Sequence, residues 1–161
     1  DAQMAGFYVQ HNVGIAFRCF ATGIFFGTGT IFFLIYNSIF FGTITGYLIA
    51  HGHSERFFSF VISHGAFELT AIVISGAAGL VIGHSLVHPG PFTRAEALKQ
   101  RGLVGVQLAM GAGGMLGVAA LVEAFWSPSG APPMAKYIVG SVFWVLVTLY
   151  LSLAGRGARA E

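Results

Sequence analysis

Residues 57–87, FFSFVISHGAFELTAIVISGAAGLVIGHSLV, run for thirty-one positions with a single formally charged side chain, Glu68. Roughly 20 apolar residues are enough for a helix to cross about 30 Å of hydrocarbon, so this block is longer than one crossing needs. It has helical neighbours of the same kind. Val13 to Ala50, Leu103 to Trp126 and Tyr137 to Gly155 are further apolar runs. With 55% hydrophobic and 9% charged residues among 161, and a mean hydropathy of +0.77, the chain cannot hide its apolar side chains in a water-soluble core of this size. Strand barrels satisfy their backbone in lipid too, but they read as ~10-residue alternating segments, and no such alternation occurs. The fold class is all-α, a multi-pass transmembrane helical bundle forming one domain over 1–161.

Eight basic and six acidic residues leave a net charge of +2, too sparse and scattered for a nucleic-acid footprint. Cys19 is the only cysteine and has no thiol partner, so neither a disulfide framework nor a thiolate metal motif exists. No cofactor motif is found, and GAGGMLG at 111–117 is not a phosphate loop because no lysine follows it. The chain opens on Asp1 without a basic lead into its first apolar block, which favours its being the C-terminal membrane part of a longer chain.

Five spans are expected, at about 13–36, 38–51, 57–87, 103–126 and 135–155, preceded by a short amphipathic segment that carries Met4, Phe7 and Tyr8. The run from Val13 to Ala50 would extend ~57 Å as one helix, so it must turn, and Tyr36-Asn37-Ser38 is the interruption with turn chemistry. An alternative treats 38–63 as a re-entrant pair, leaving four full spans. Prolines 89 and 91 stop the third span. Thr93 and Glu96, three apart, form a capping box that starts the next helix. Arg94, Lys99 and Arg101 in the 88–102 loop and Arg156 and Arg159 in the tail place both segments in the cytoplasm, with Asp1, HGHSER and SPSGAPP outside.

Ionisable groups at membrane depth cost about 2.5–3.5 kcal/mol each on insertion scales, so Arg18, His64, Glu68 and Glu123 require partners. Counting residues from the span ends puts all four in one half of the membrane, with His11 and Asn12 near the same level, and an Arg18 to Glu68 contact is expected. As a structural clamp the cluster would make Glu68→Gln destabilising. As a proton or solute pathway it would make that residue functional. A metal on His64, Glu68 and Glu123 is disfavoured, because HGAFE is not the HExxH signature. Glycine pairs four apart, Gly23/Gly27, Gly42/Gly46, Gly79/Gly83 and Gly113/Gly117, mark close helix packing, with a homo-oligomer as another use for some of them. Phenylalanines 25, 26, 32, 33, 40 and 41 read as lipid-facing or packing groups.

An ordered series of motifs carries a resemblance. HN at 11–12, GIFFGTGT at 23–30, YN at 36–37, SHGAFEL at 63–69, GAAGL at 76–80, the capped basic loop and EAFWSPS at 123–129 make the chain similar to the stage II sporulation protein M family of bacterial and archaeal membrane proteins. The resemblance implies a polytopic helical protein whose founding member works with peptidoglycan-degrading partners, and members in which a soluble region and one more span precede this part. One departure is Asn37-Ser38, where the family shows asparagine followed by glycine. Two functions follow as expectations: a non-enzymatic scaffold of the inner membrane for cell-envelope partners, or a small-solute or ion transporter that uses the polar cluster.

Overall fold

The computed structural model describes residues 2–154, with side chains described from Gln10 onward. Met4, Phe7 and Tyr8 of the expected interfacial segment, and Gly155, Arg156 and Arg159 of the expected span end and basic tail, lie outside those described side chains. Among the described residues every regular element is helical: α1 (Ala2–Ala21), α2 (Thr28–Ala50), α3 (Ser54–Val87), α4 (Arg94–Leu121) and α5 (Pro133–Leu153). Four stretches are long and apolar enough to cross a membrane, namely α2, α3, α4 with its continuation to Trp126, and α5. The more polar α1 is not among them.

The turn expected at Asn37 is not there. Asn37 sits inside α2, and the chain reverses instead over residues 22–27, a 3-10 turn at Thr22–Ile24 followed by Phe26 at φ 56° and Gly27 at φ 82°. The physical reason lies in how hydroxyls behave without water. Ser38, Thr43 and Thr45 each donate to the carbonyl four residues back, at 2.8 Å, so these polar residues stay helical in an apolar surround. Residues 22–27 have what a reversal needs. Gly27 takes the left-handed conformation, Gly27 N–H donates to the Gly23 carbonyl at 2.9 Å, and the Thr28 hydroxyl donates to the Phe25 carbonyl at 2.7 Å. The spans at 13–36 and 38–51 are thereby replaced by α1 and a full-length α2. Residues 38–63 are no re-entrant pair, because they divide between α2 and α3 on either side of a tight turn at Gly52, φ 77°.

Helix α3 is the axis of the bundle, and every other helix packs against it. Its inward positions are small: Ser63, Gly65, Ala66, Ala71, Ser75, Gly76, Ala78 and Gly79 are all buried. Small side chains let neighbouring backbones come close, which replaces the hydrophobic drive that lipid removes. The α1–α2 hairpin lies against the later part of α3 with its turn at the level of Gly79 and Gly83. Ala16, Ala71, Ala112 and Leu116 close the core where α1, α3 and α4 meet. Among the described residues α5 packs on α3 and on no other helix, leaving a groove of about 640 Å³ between α4 and α5 that is floored by Phe67 and Ile74.

Helix α4 starts on the expected capping box. The Glu96 amide donates to the Thr93 hydroxyl oxygen at 3.3 Å, and the Thr93 amide donates to the Glu96 carboxylate at 2.9 Å. Thr93→Ala should cost about 1 kcal/mol. The check is amide hydrogen exchange in micelles, which should speed up at Glu96 and Ala97 and nowhere in α5. At its other end α4 widens into a π-helical turn over Val122–Trp126, closed by the Ser127 amide on the Val122 carbonyl at 2.9 Å. Pro128 forbids continuation, and α5 restarts with Pro133 at its first turn.

Candidate functional site

Helix geometry decides which of the polar residues meet. On α1, Asn12, Ala16 and Cys19 fall on one stripe, and His11, Ile15 and Arg18 on another. The first stripe faces the bundle: Ala16 and Cys19 are buried, and Asn12 joins Glu68 of α3 and Glu123 of the π turn around a cavity of about 10 Å³. That volume is at the threshold for a single water. Val13, Leu116, Ala119 and Ala120 complete its walls. Glu123 is 7% exposed, and neither carboxylate has a hydrogen-bond donor among the described residues, with Glu68 Oε2 fully buried. Two ionised carboxylates repel in such a setting, and a proton or a single bound water between them relieves the repulsion.

The expected contact from Arg18 to Glu68 does not form. Arg18 lies on the second α1 stripe, exposed, in a crevice against Phe33, Tyr36, Asn37 and Phe40 of α2. The expected common depth is not kept: Asn12 is the α1 residue level with Glu68, and Arg18 lies six residues, roughly 9 Å, further along and on a different stripe of α1. Glu68 therefore has no cation to lose, and the expectation for Glu68→Gln reverses. An amide at 68 removes a like-charge contact and can donate to Glu123, so Glu68→Gln should melt no lower than the parent in detergent, and by roughly 1 kcal/mol higher. A clear fall in melting temperature would contradict this placement.

His64, one turn before Glu68, belongs to a separate network. Its Nδ1 pairs with the Ser127 hydroxyl at 3.0 Å, and its ring meets Phe60 edge-on with centroids 5.2 Å apart. Trp126 Nε1 donates to Ser63 Oγ at 3.1 Å. The buried Lys136 Nζ donates to the carbonyls of Ser127 at 2.8 Å and Ser129 at 2.9 Å. Sequence reasoning missed Ser63, Ser127 and Lys136. The readable signal was a lysine three residues after a double proline, at the head of an otherwise apolar helix. The network ties α3, the π turn and the start of α5, and the imidazole is engaged with a hydroxyl rather than aimed at Glu68 or Glu123. Among the described residues no group of three His, Cys, Asp or Glu is placed to hold a metal ion.

The glycine pairs separate into two kinds. Gly23 lies against Gly79 and Gly27 against Gly83: a Cβ added at 23 or 79 would collide with backbone across the interface, and one at 83 would collide with Gly27. Among the described residues, Gly42, Gly46, Gly113 and Gly117 face open space.

Against known proteins, a family model described as stage II sporulation protein M matches residues 1–128, which takes in α1 to α4, the π turn and Ser127. No curated protein and no solved structure matches the chain.

Proposed function

From the premise that this chain belongs to the stage II sporulation protein M family, we propose that it is a non-enzymatic membrane scaffold for cell-envelope, peptidoglycan-related partners. The observation that carries the reading is how the bundle distributes its side chains. Apart from Glu68 and Glu123, interior polar groups are spent on ties between elements, as in His64 to Ser127, Trp126 to Ser63 and Lys136 to two carbonyls. The outer helices keep most of their surface uncovered. None of the most apolar window of α2 is buried, and 11% of that of α5 is, against 50% for α3. Such faces suit lipid and the transmembrane segments of partners. In this reading the protein sits in the inner membrane with loop 88–102 and the C-terminus in the cytoplasm, because Arg94, Lys99 and Arg101 favour that side. The 51–53 and 127–132 turns, at the opposite end, then face outward as docking loops.

The test is extraction of the full-length protein from native membranes in mild detergent, with mass spectrometry of whatever accompanies it in fixed proportion. An envelope enzyme or wall-binding protein in constant ratio supports the scaffold. Recovery of the protein alone overturns it.

A transporter reading draws on one observation, the cavity shared by Asn12, Glu68 and Glu123. It requires pH-dependent flux in proteoliposomes that Glu68→Gln abolishes while the fold is kept. Flat traces over a broad solute panel remove it.

A further inference from the structure

Arg18 presents a guanidinium on the outside of a membrane bundle, with no ion pair and no side-chain hydrogen bond among the described residues. Its depth can be read from its neighbours. Gly23 is level with Gly79, and α3 continues eight residues beyond that point, so Arg18 lies roughly 20 Å along the axis from one end of α3 and roughly 30 Å from the other. If α3 is centred on about 30 Å of hydrocarbon, Arg18 is within about 5 Å of the midplane. Lipid phosphates then lie some 10 Å away, beyond where its side chain comes to rest.

The crevice around it is built for a polar guest. It measures about 140 Å³, against roughly 10–15 Å³ for a single water. His11, Tyr36 and Asn37 line the crevice together with Arg18, and neither the Tyr36 hydroxyl nor the Asn37 amide makes a hydrogen bond among the described residues, while His11 is itself engaged. Ile15, Phe33 and Phe40 form apolar walls. A planar fork of donors beside a hydroxyl and an amide matches a carboxylate, which accepts two N–H groups at once.

A second copy of this chain cannot supply that group from its described residues. Glu68 and Glu123 face the inner cavity, Glu96 is engaged with Thr93, and Glu55 lies at the start of α3, roughly 30 Å away along the axis. We propose that the α1–α2 crevice seats a carboxylate carried near the middle of a transmembrane helix of a different protein, with Arg18 as its counter-ion. This rests on the scaffold reading for the existence of such a partner, but the chemistry of the crevice can be tested without it.

The probe is a synthetic helix of roughly 20 leucines and alanines with one central glutamate, and a twin with glutamine, each labelled for energy transfer to the full chain in neutral phosphatidylcholine vesicles. The glutamate helix should associate about tenfold more tightly than its twin. Arg18→Gln should erase the preference, and Arg18→Lys should keep part of it. Phe33→Trp, which fills the crevice and leaves Arg18 in place, should weaken the glutamate helix as well. Equal association of the two helices, or an Arg18→Gln protein that still discriminates, overturns the proposal. So does displacement of the helix by phosphatidylglycerol, which would make the crevice a lipid headgroup site. A scaffold whose partners dock elsewhere would pass the extraction experiment and fail here, so the two failures are separable.

Discussion

Gly79→Val should leave the protein unable to seat its α1–α2 hairpin, with the folded, monodisperse fraction in mild detergent falling to a minor species. A Cβ at 79 would run into the Cys19 carbonyl and the Thr30 hydroxyl. Neither can step aside cheaply. Cys19 is fully buried on α1, and the Thr30 hydroxyl is itself held at 2.7 Å on that same carbonyl, linking α1 to α2 beneath the turn. Valine adds two methyl groups beyond the Cβ, so α1 must move off α3 as a body, opening the Gly23 to Gly79 and Gly27 to Gly83 contacts together. Overpacking of a rigid contact costs about 1–3 kcal/mol, and loss of the buried Thr30 hydrogen bond adds about 1 kcal/mol. That is a large part of a total stability of about 5–15 kcal/mol. Gly117→Val is the matched control, since position 117 faces open space and should shift stability by no more than about 0.5 kcal/mol. If both variants elute and melt alike, the hairpin does not sit where it is described.

Lys136→Met should unfasten the 127–132 turn while leaving the helices formed. The ammonium holds the Ser127 and Ser129 carbonyls, and methionine fills much the same space without a donor. Hydrogen bonds to a charged donor are worth about 1.5–3 kcal/mol each, and one buried and one half-buried carbonyl would be left bare, so about 3 kcal/mol is at stake locally. Trp126 reports it directly, because its Nε1 bonds to Ser63 next to the turn. In a Trp144→Phe background, where Trp126 is the only tryptophan, Lys136→Met should red-shift the emission and raise its quenching by acrylamide. Lys99→Met, on the exposed side of α4, should do neither. Unchanged quenching in Lys136→Met would mean that the turn is held by other contacts.

The fold class was legible because one stretch, 57–87, admits no other reading, and the Thr93 to Glu96 start of α4 was legible because a capping box is a local device. The path of the chain before it was not. Turn chemistry learned from water pointed to Asn37-Ser38, whereas in an apolar surround a serine bonds back to its own helix and the reversal goes to the glycine whose φ is positive. Arg18 was misplaced for a related reason. Counting from an assumed span start put it level with Glu68, whereas the α1 residue at that level is Asn12, and six further residues carry Arg18 roughly 9 Å along the axis and onto another stripe. Glycine spacing marked faces that can be approached closely. Only the fold shows that 23 and 27 find 79 and 83, while a Cβ at 113 or 117 would meet nothing within 4 Å among the described residues. Lys136 escaped notice because its acceptors are carbonyls freed by the π turn and the prolines, and main-chain oxygens have no sequence letter.

The central place of α3 also bears on how the protein is made. A ribosome delivers α1 and α2 before the helix on which both lean. At roughly 5–20 residues per second, the thirty-seven residues from Ala50 to Val87 take about 2–7 s to appear. During that interval α2 must persist in the bilayer on its own hydropathy, and α1, more polar and with Arg18 uncovered, has its hairpin partner but not yet the helix on which both lean. The glycines at 79 and 83 lie near the end of α3, so the α1–α2 hairpin cannot lock until nearly all of the axis has been translated. Assembly is thus timed by the completion of α3, and a pause in translation after Val87 would be a better moment for docking than one before it.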